Sequence, residues 1–510
     1  MTVARTWAVA LTGLDGALVE VEADLSRQTP DFKIIGLADK ALGEAHQRVH
    51  NACENSGLQL SRRRITVNLS PASLPKHGAG FDVAIAVAAL ATEHRLDPGS
   101  LATTVHLGEL GLDGRLRPVP GVLPAVVAAA RAGITRVVVP HANRAEAELV
   151  DGVEVVGAVS LIDVLRRHGL DVEPRDLDPV AGEGPPDDAP PQLELADVIG
   201  QRDAVDAMVL AAAGGHHVLM SGPPGAGKTM LARRLPGILP ALDDAAALQA
   251  ASIRSLAGAR VVALERTPPF EAPHHTASVA ALVGGGSRMI RPGAIARASG
   301  GVLFLDEAGE FASGALDALR EPLENGAIQI HRAGASAAFP ARFQLVLATN
   351  PCPCGAYGVP GGDCVCPPSG IRRYLGRLSG PIRDRIDIEL AVRRVSVAHA
   401  QAAAERPLTS AQARARVDAA RARAQARLVG TPWRTNAEVP GAWLRQGPFA
   451  PPPAVRRPLD AALHRGALTL RGYDRVLRVA WTSADLAARE RIDIDDIGRA
   501  LYLKKGMTPI

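Results

Sequence analysis

The stretch "HVLMSGPPGAGKTMLARRL" constrains the fold more than any other part of the chain. A short apolar run leads into Gly222-Pro223-Pro224-Gly225-Ala226-Gly227-Lys228-Thr229, and a helical pattern follows. Glycine here lets the backbone turn tightly, so that successive N–H groups converge on phosphate. The helix opening at the end of the loop adds the positive end of its dipole. Lys228 is placed to reach the β- and γ-phosphates of ATP, and Thr229 to hold a Mg²⁺ ion. Strand, loop and helix in this order call for a parallel sheet with its site at the carboxyl ends of the strands.

Two later apolar runs fit the same sheet. "GGVLFLDEAGEF" ends on Asp306 and Glu307. Charge at the end of a buried strand is costly without a partner. Asp306 is read as the Mg²⁺ partner and Glu307 as the residue that polarises the attacking water. "FQLVLATN" ends on Asn350, which is suited to sensing the γ-phosphate or holding that water. The fold class read from these runs is α/β.

The chain has 510 residues, more than one ordinary domain. Residues 1–171 alternate strand and helix signals and read as one α+β domain. In it, "DKALGEAHQRVHNACENSGL" places Leu42, Ala45, Val49 and Ala52 on one helical face. Residues 172–194 are rich in Pro, Gly and acid and form a linker. Residues 195–395 carry the nucleotide motifs, and residues 396–510 read as a helical lid. A net charge of +4 is small for this length and neither demands nor excludes a polyanionic partner. Basic charge is nearly all arginine, so arginine clusters count for little as evidence. The helix bearing Arg414, Arg416, Arg421, Arg423 and Arg427 reads as a solvated face. "FDVAIAVAALAT" is too short to span a bilayer. With no targeting signal, the expectation is a cytoplasmic protein with no membrane partner.

Four of the five cysteines fall in "NPCPCGAYGVPGGDCVCPP". A reducing cytosol argues against disulfides there. Cys352, Cys354, Cys364 and Cys366 are the ligand set of a closed structural Zn²⁺ site; an iron–sulfur cluster or free thiols are the alternatives. A metal supplies the cross-link that so Gly- and Pro-rich a loop cannot obtain from a core. Its place suggests that it pins Asn350 and the chain leading to Arg385. The phosphate loop is distant in sequence, so turnover should depend on the metal more than binding does.

The motifs together resemble an AAA+ ATPase. "EAPHHTASVAALVGGGSRMIRPGAI", "LREPLENGAIQIHRAG" and "ATNPCPCGAYG" resemble the ComM/YifB family of magnesium-chelatase-like ATPases. "HLGELGLDGRLRPVPGVLPAVVAAARAGITRVVVP" resembles the family's Lon-protease-like domain, of the ribosomal S5 domain 2-like fold. The resemblance implies an AAA+ core with a helical lid behind a Lon-like domain. It also implies ATP and Mg²⁺ as cofactors, a homohexameric ring and action on single-stranded or branched DNA. An ATP-driven protein-remodelling or chelatase-like motor is the alternative. Arg385 in "SGPIRDRIDI" matches the arginine finger, which reaches a neighbour's site, and Arg471 matches the second sensor arginine of the lid. The inserted hairpins would bring Arg288, Arg291, His331 and Arg332 near DNA phosphates.

The chain also departs from the family. Ala294 stands where a carboxylate is usual, and Trp481 where an arginine is usual. At the protease positions it has Gly80 for the nucleophile and Leu123 for the base. Proteolysis needs both groups, so a non-catalytic domain is expected. His274 and His275, read as strand neighbours, would point to opposite faces and not share a metal; a structural or nucleotide-coupling role is expected.

Overall fold

A computed structural model describes residues 3–26, 29–36, 44–182, 193–286, 290–332, 335–359, 361–395 and 407–505. Leu42, Arg288 and the side chain of Arg332 lie outside the described residues.

The N-terminal region forms a seven-stranded sheet. Its strands are β1 (Ala4–Thr12), β2 (Asp15–Ser26), β3 (Phe32–Ile35), β4 (Arg64–Ser70), β5 (Thr104–His106), β6 (Arg136–Pro140) and β7 (Glu154–Ala158), in spatial order β3-β4-β2-β1-β5-β6-β7. In β2, Val19, Val21 and Ala23 are buried while Glu20 and Glu22 reach the rim, as period-two alternation requires. Helices Asp82–Leu90 and α1 (Val122–Arg131) pack on this sheet. Among the described residues, the one lysine buried in this core, Lys76, donates to the carbonyls of Gly36 and Pro71. It is a structural ion, satisfied by backbone.

After the linker come α2 (Arg202–Gly214), β8 (Val218–Ser221), α3 (Lys228–Ile238) and α4 (Asp244–Ala257). Next are β9 (Phe270–Glu271), β10 (Val302–Leu305), a hairpin of β11 (Ala327–Arg332) and β12 (Ala335–Pro340), and β13 (Gln344–Thr349). The core ends with α5 (Pro368–Gly376) and β14 (Ile388–Ala391). Five strands make a wholly parallel sheet in the order β9-β10-β13-β8-β14. Helices cover both faces, so β10 and β13 are buried along their whole length. This is an α/β AAA+ core, and its strand ends gather Ser221, Leu305 and Thr349 at one edge.

The lid contains α6 (Ser410–Arg427) and α7 (Leu470–Leu486), among other helices. Here the reading of the arginine helix fails. Arg414 donates to the Gly237 carbonyl and Arg421 to that of Ala212, near the carboxyl end of α2. Such carbonyls lack helical partners and attract cations. Arg427 grips Asp485 with two hydrogen bonds of 2.6 and 2.7 Å. Its guanidinium also lies 4.0 Å from the ring centroid of the buried Trp481. Arg423 donates to the Asp485 carbonyl at 2.8 Å, so Arg414 and Arg421 tie α6 to the core while Arg423 and Arg427 tie it to α7. The ring of Trp481 is thus covered by a cation reaching in from α6.

The two regions pack directly. Leu123 on α1 meets Ala251 on α4, and Gly121 N–H donates to the Ser255 carbonyl. The β1–β2 turn seats on β12. A side chain at Gly13, whose φ is +65°, would stand 2.7 Å from the Ala338 carbonyl oxygen. Leu11 and Leu14 pack against the apolar cluster of the ATPase core. Among the described residues no helix is long and apolar enough to cross a membrane.

Candidate nucleotide site

The phosphate loop joins β8 to α3. Gly225 and Gly227 have φ of +75° and +92°, conformations that a side chain would strain. The loop is held from several sides. Gly222 N–H donates to the Thr349 carbonyl, Gln201 Nε2 to the Ala226 carbonyl at 2.5 Å, and Arg394 Nε to the Pro224 carbonyl at 3.2 Å.

Around it opens a cleft of about 440 Å³, lined by Pro224 to Met230 together with Asp306, Glu307, Thr349 and Asn350. That volume suits a nucleotide-sized ligand. Lys228 is buried, and its Nζ donates to the carbonyls of Gly222 (2.6 Å) and Pro223 (3.0 Å) and to Asn350 Oδ1 (3.0 Å). Burial lowers its pKa, while Asp306 and Glu307 act to raise it. Thr229 Oγ1 donates to Asp306 Oδ2 at 2.6 Å. An octahedral Mg²⁺ holds adjacent oxygens about 3 Å apart. These two oxygens fit that role with a shift of a few tenths of an ångström, the ion displacing the hydroxyl proton's contact.

Glu307 follows Asp306 with φ of +51°, one of two non-glycine residues in the left-handed region among the described residues. Strain of this kind gathers at functional turns. The Ala308 N–H fixes the turn by donating to the Ala348 carbonyl at 2.7 Å. The Glu307 carboxylate meets His275 Nδ1 at 3.1 Å. The two histidines sit in a turn beyond β9, not on a strand, and their rings lie 4.1 Å apart. They do not diverge, and His275 belongs to the site. Nothing in the residue pattern pointed to that pairing.

Arg385 and Arg471 do not line the cleft. Arg385 pairs with Glu324 and donates to the Pro381 carbonyl at 2.6 Å. Its pKa is lowered by burial and by the nearby charges of Arg471, Arg475 and Arg320. Arg471 is 74% exposed, 3.7 Å from Asp384. A further arginine that locks the lid to the core is Arg475, one turn further along α7. It donates to the Asp384 carbonyl and to Asp387 Oδ1, both at 2.6 Å. Burial alone would raise the pKa of Asp387; Arg475 and His216 hold it well below the usual carboxylate range.

The four cysteines converge. Their Sγ atoms all lie within 4.8 Å of one another. Cys352 stands 3.3 Å from Cys354 and 3.7 Å from Cys364, and Cys354 stands 3.7 Å from Cys364. These distances are too long for disulfides. They match the roughly 3.8 Å between sulfurs of a tetrahedral ion with ~2.3 Å metal–sulfur bonds. A backbone N–H, that of Ala356, brings the Cys354 thiol down to about 6. Cys53, by contrast, is buried in the N-terminal core, and burial pushes it up to about 12.

The loop's neighbours were not expected. A side chain at Gly355 would stand 2.4 Å from Pro224 Cδ, so the cysteine loop rests on the phosphate loop itself. Remoteness in sequence does not mean remoteness in the fold. From the loop's other end, α5 sends Tyr374 against Gly309 and to within 3.5 Å of Thr349 Oγ1.

The hairpins carry Arg291 and His331, both exposed. Ala294 is fully buried. In the N-terminal domain a side chain at Gly80 would have open space around it, and Leu123 is buried. Neither position carries a hydroxyl, thiol or amine.

Comparison with known proteins agrees with this geometry. The family described as "Magnesium chelatase, subunit ChlI" matches residues 194–400, and its C-terminal counterpart matches residues 407–504. "Subunit ChlI of Mg-chelatase" matches residues 21–143. Protein Rv2897c of Mycobacterium tuberculosis is 48% identical over 509 residues, covering 99% of each chain. Competence protein ComM of Haemophilus influenzae is 40% identical over 504 residues, covering 98% of this chain and 97% of its own. The N-terminal region is similar to Lon protease of Mycolicibacterium smegmatis, at 27% identity over 170 residues.

Proposed function

Because this chain belongs to the ComM/YifB family of magnesium-chelatase-like AAA+ ATPases, we propose that it hydrolyses ATP as a Mg²⁺-dependent homohexameric ring. The ring works on single-stranded or branched DNA as a branch-migration or helicase-type motor. The observation that carries the ATPase reading is the convergence of Lys228, Thr229, Asp306, Glu307 and Asn350 on one nucleotide-sized cleft. Lys228 and the loop N–H groups hold the phosphates, and Thr229 and Asp306 hold Mg²⁺, which neutralises charge on the phosphates when bound. Glu307 accepts the proton of the water whose oxygen attacks the γ-phosphorus, and the bond to the ADP oxygen breaks.

The ring reading rests on the two arginines. Arg385 and Arg471 lie near each other and away from the chain's own cleft. If they stabilise a transferring phosphoryl group, it is a neighbour's, and head-to-tail contacts that supply them close into a ring. DNA is read from the competence relative and from the exposed Arg291 and His331. The chelatase family match favours a second reading, a motor that acts on a protein partner. The four-cysteine loop is read as a single structural Zn²⁺ site, since sulfurs this close enclose one ion rather than several irons.

The test measures ATP turnover of the purified chain alone and with single-stranded, duplex and branched DNA. Stimulation by DNA, strongest with branched or single strands, supports the motor. Turnover that ignores all three directs the search to a protein partner.

A further inference from the structure

We infer that the four-cysteine site is a metal-loaded clamp on the phosphate loop, so that a Zn²⁺-class ion governs nucleotide binding as well as local folding. The inference rests on the single-metal reading given above. The loop has little else to fix it. Tyr357 is 53% exposed and Val365 85%, and of the four thiols only Cys352 is buried. Its shape is therefore set by what joins its ends, and the sulfurs join them.

Gly355 is the contact point. It follows Cys354 directly, and its N–H donates to the Cys352 carbonyl at 2.9 Å. The Tyr357 N–H points to Cys352 Sγ at 3.3 Å. Cys352, whose thiolate would bind the ion, thus holds Gly355 through its carbonyl and Tyr357 through its sulfur. With φ of +78° and no side chain, Gly355 seats on the ring of Pro224, a residue that lines the nucleotide cleft. Among the described residues, the Pro224 carbonyl is otherwise held by Arg394. A cradle of N–H groups binds phosphate best when it is already in place before the ligand arrives. The metal supplies that preorganisation from behind the loop. Past Cys366, α5 carries Tyr374 against the turn that bears Glu307, so the ion also steadies the water side of the site.

The experiment uses the full chain and reads metal content and nucleotide affinity, not turnover. Purified protein is expected to hold one zinc per chain. Removing it with a thiol-directed mercurial, or by Cys354→Ser/Cys364→Ser, is expected to weaken binding of a fluorescent ATP analogue by about tenfold or more, worth about 1.4 kcal/mol. Stripping the mercurial with dithiothreitol and adding Zn²⁺ should restore the affinity. Gly355→Ala should keep the zinc and still lose affinity, because its methyl must push Pro224 away. Should that variant fail to fold, the strip-and-reload series on the unaltered chain decides. Metal-free protein that stays folded by circular dichroism and binds the analogue with unchanged affinity overturns the clamp and leaves the metal site standing. Protein without metal and with four freely titratable loop thiols overturns the metal reading itself.

Discussion

The phosphate cleft and the arginine face of this chain, two parts of the one proposed reaction, are built differently. In the cleft, Lys228, Asn350, Thr229 and Asp306 already touch, with every contact between 2.6 and 3.0 Å. On the other face, Arg385 is spoken for by Glu324, and Arg471 stands mostly in water beside Asp384. A binding site can be completed within one fold. A group that must arrive during the transition state can be kept elsewhere, where it does not bind the ground state tightly. The difference teaches that one chain gathers its phosphate-loop and carboxylate groups by itself, while on the proposed ring reading the two arginines would serve a second copy.

The largest test of that division mixes variants. Arg385→Ala and Lys228→Ala are each expected to lose about 10³-fold or more of turnover alone, the first with nucleotide binding kept and the second without it. Mixed rings should regain part of the activity, because some sites pair an intact Lys228 with a neighbour's Arg385. Confirmed mixed assembly with no recovery would show that the arginine acts within its own chain. Next in size, Glu307→Gln should bind ATP normally and turn over about 10²-fold more slowly, as loss of a general base predicts. Normal turnover in a steady-state assay would remove Glu307 from the chemistry.

A smaller effect is expected inside the cleft. His275 is the only side-chain partner of the Glu307 carboxylate among the described residues. His275→Ala should lower turnover several-fold, roughly one kcal/mol as for a part-exposed pair, with nucleotide affinity unchanged. Faster turnover would mean that His275 restrains the carboxylate instead of aiming it.

The smallest effect separates fold from site. Burial brings His168 of the N-terminal domain, and His217 beside β8, down to about 4. Both are then neutral in the fold and take up protons more readily when unfolded. Their contribution is complete above a pH of about 6.5 and is lost as the pH falls from there toward 4. The melting temperature should drop across that window, and His168→Gln should flatten part of the drop. A profile that the variant leaves unaltered would clear His168.

What could be read from the residues is what depends on neighbours in sequence. The phosphate loop announces itself because glycine spacing dictates its backbone. Asp306, Glu307 and Asn350 stand out because polar groups end apolar runs. Four cysteines in one loop need only counting. The rest depends on which distant segments the fold brings together. His275 and Glu307 are 32 positions apart, and no local pattern links them. Gly355 and Pro224 come from different loops of the sheet edge. The arginines of α6 look solvated along the helix, because their carbonyl partners belong to the carboxyl ends of α2 and α3. A long side chain can cross an apolar face to reach a helix end, and its charge says nothing about where it stops.

The seat of the β1–β2 turn on β12 carries a mechanical consequence. The carbonyl of Ala338 comes so close to Gly13 that no other residue fits without prising the two apart. Leu11 and Leu14 complete the joint with apolar contact. The N-terminal domain is thereby geared to the hairpin that bears His331. If the proposed motor moves that hairpin, it must either carry the seven-stranded sheet along as ballast or shear this joint. A chain lacking residues 1–171 would bare the surface that the two leucines cover and would free the hairpin from this joint.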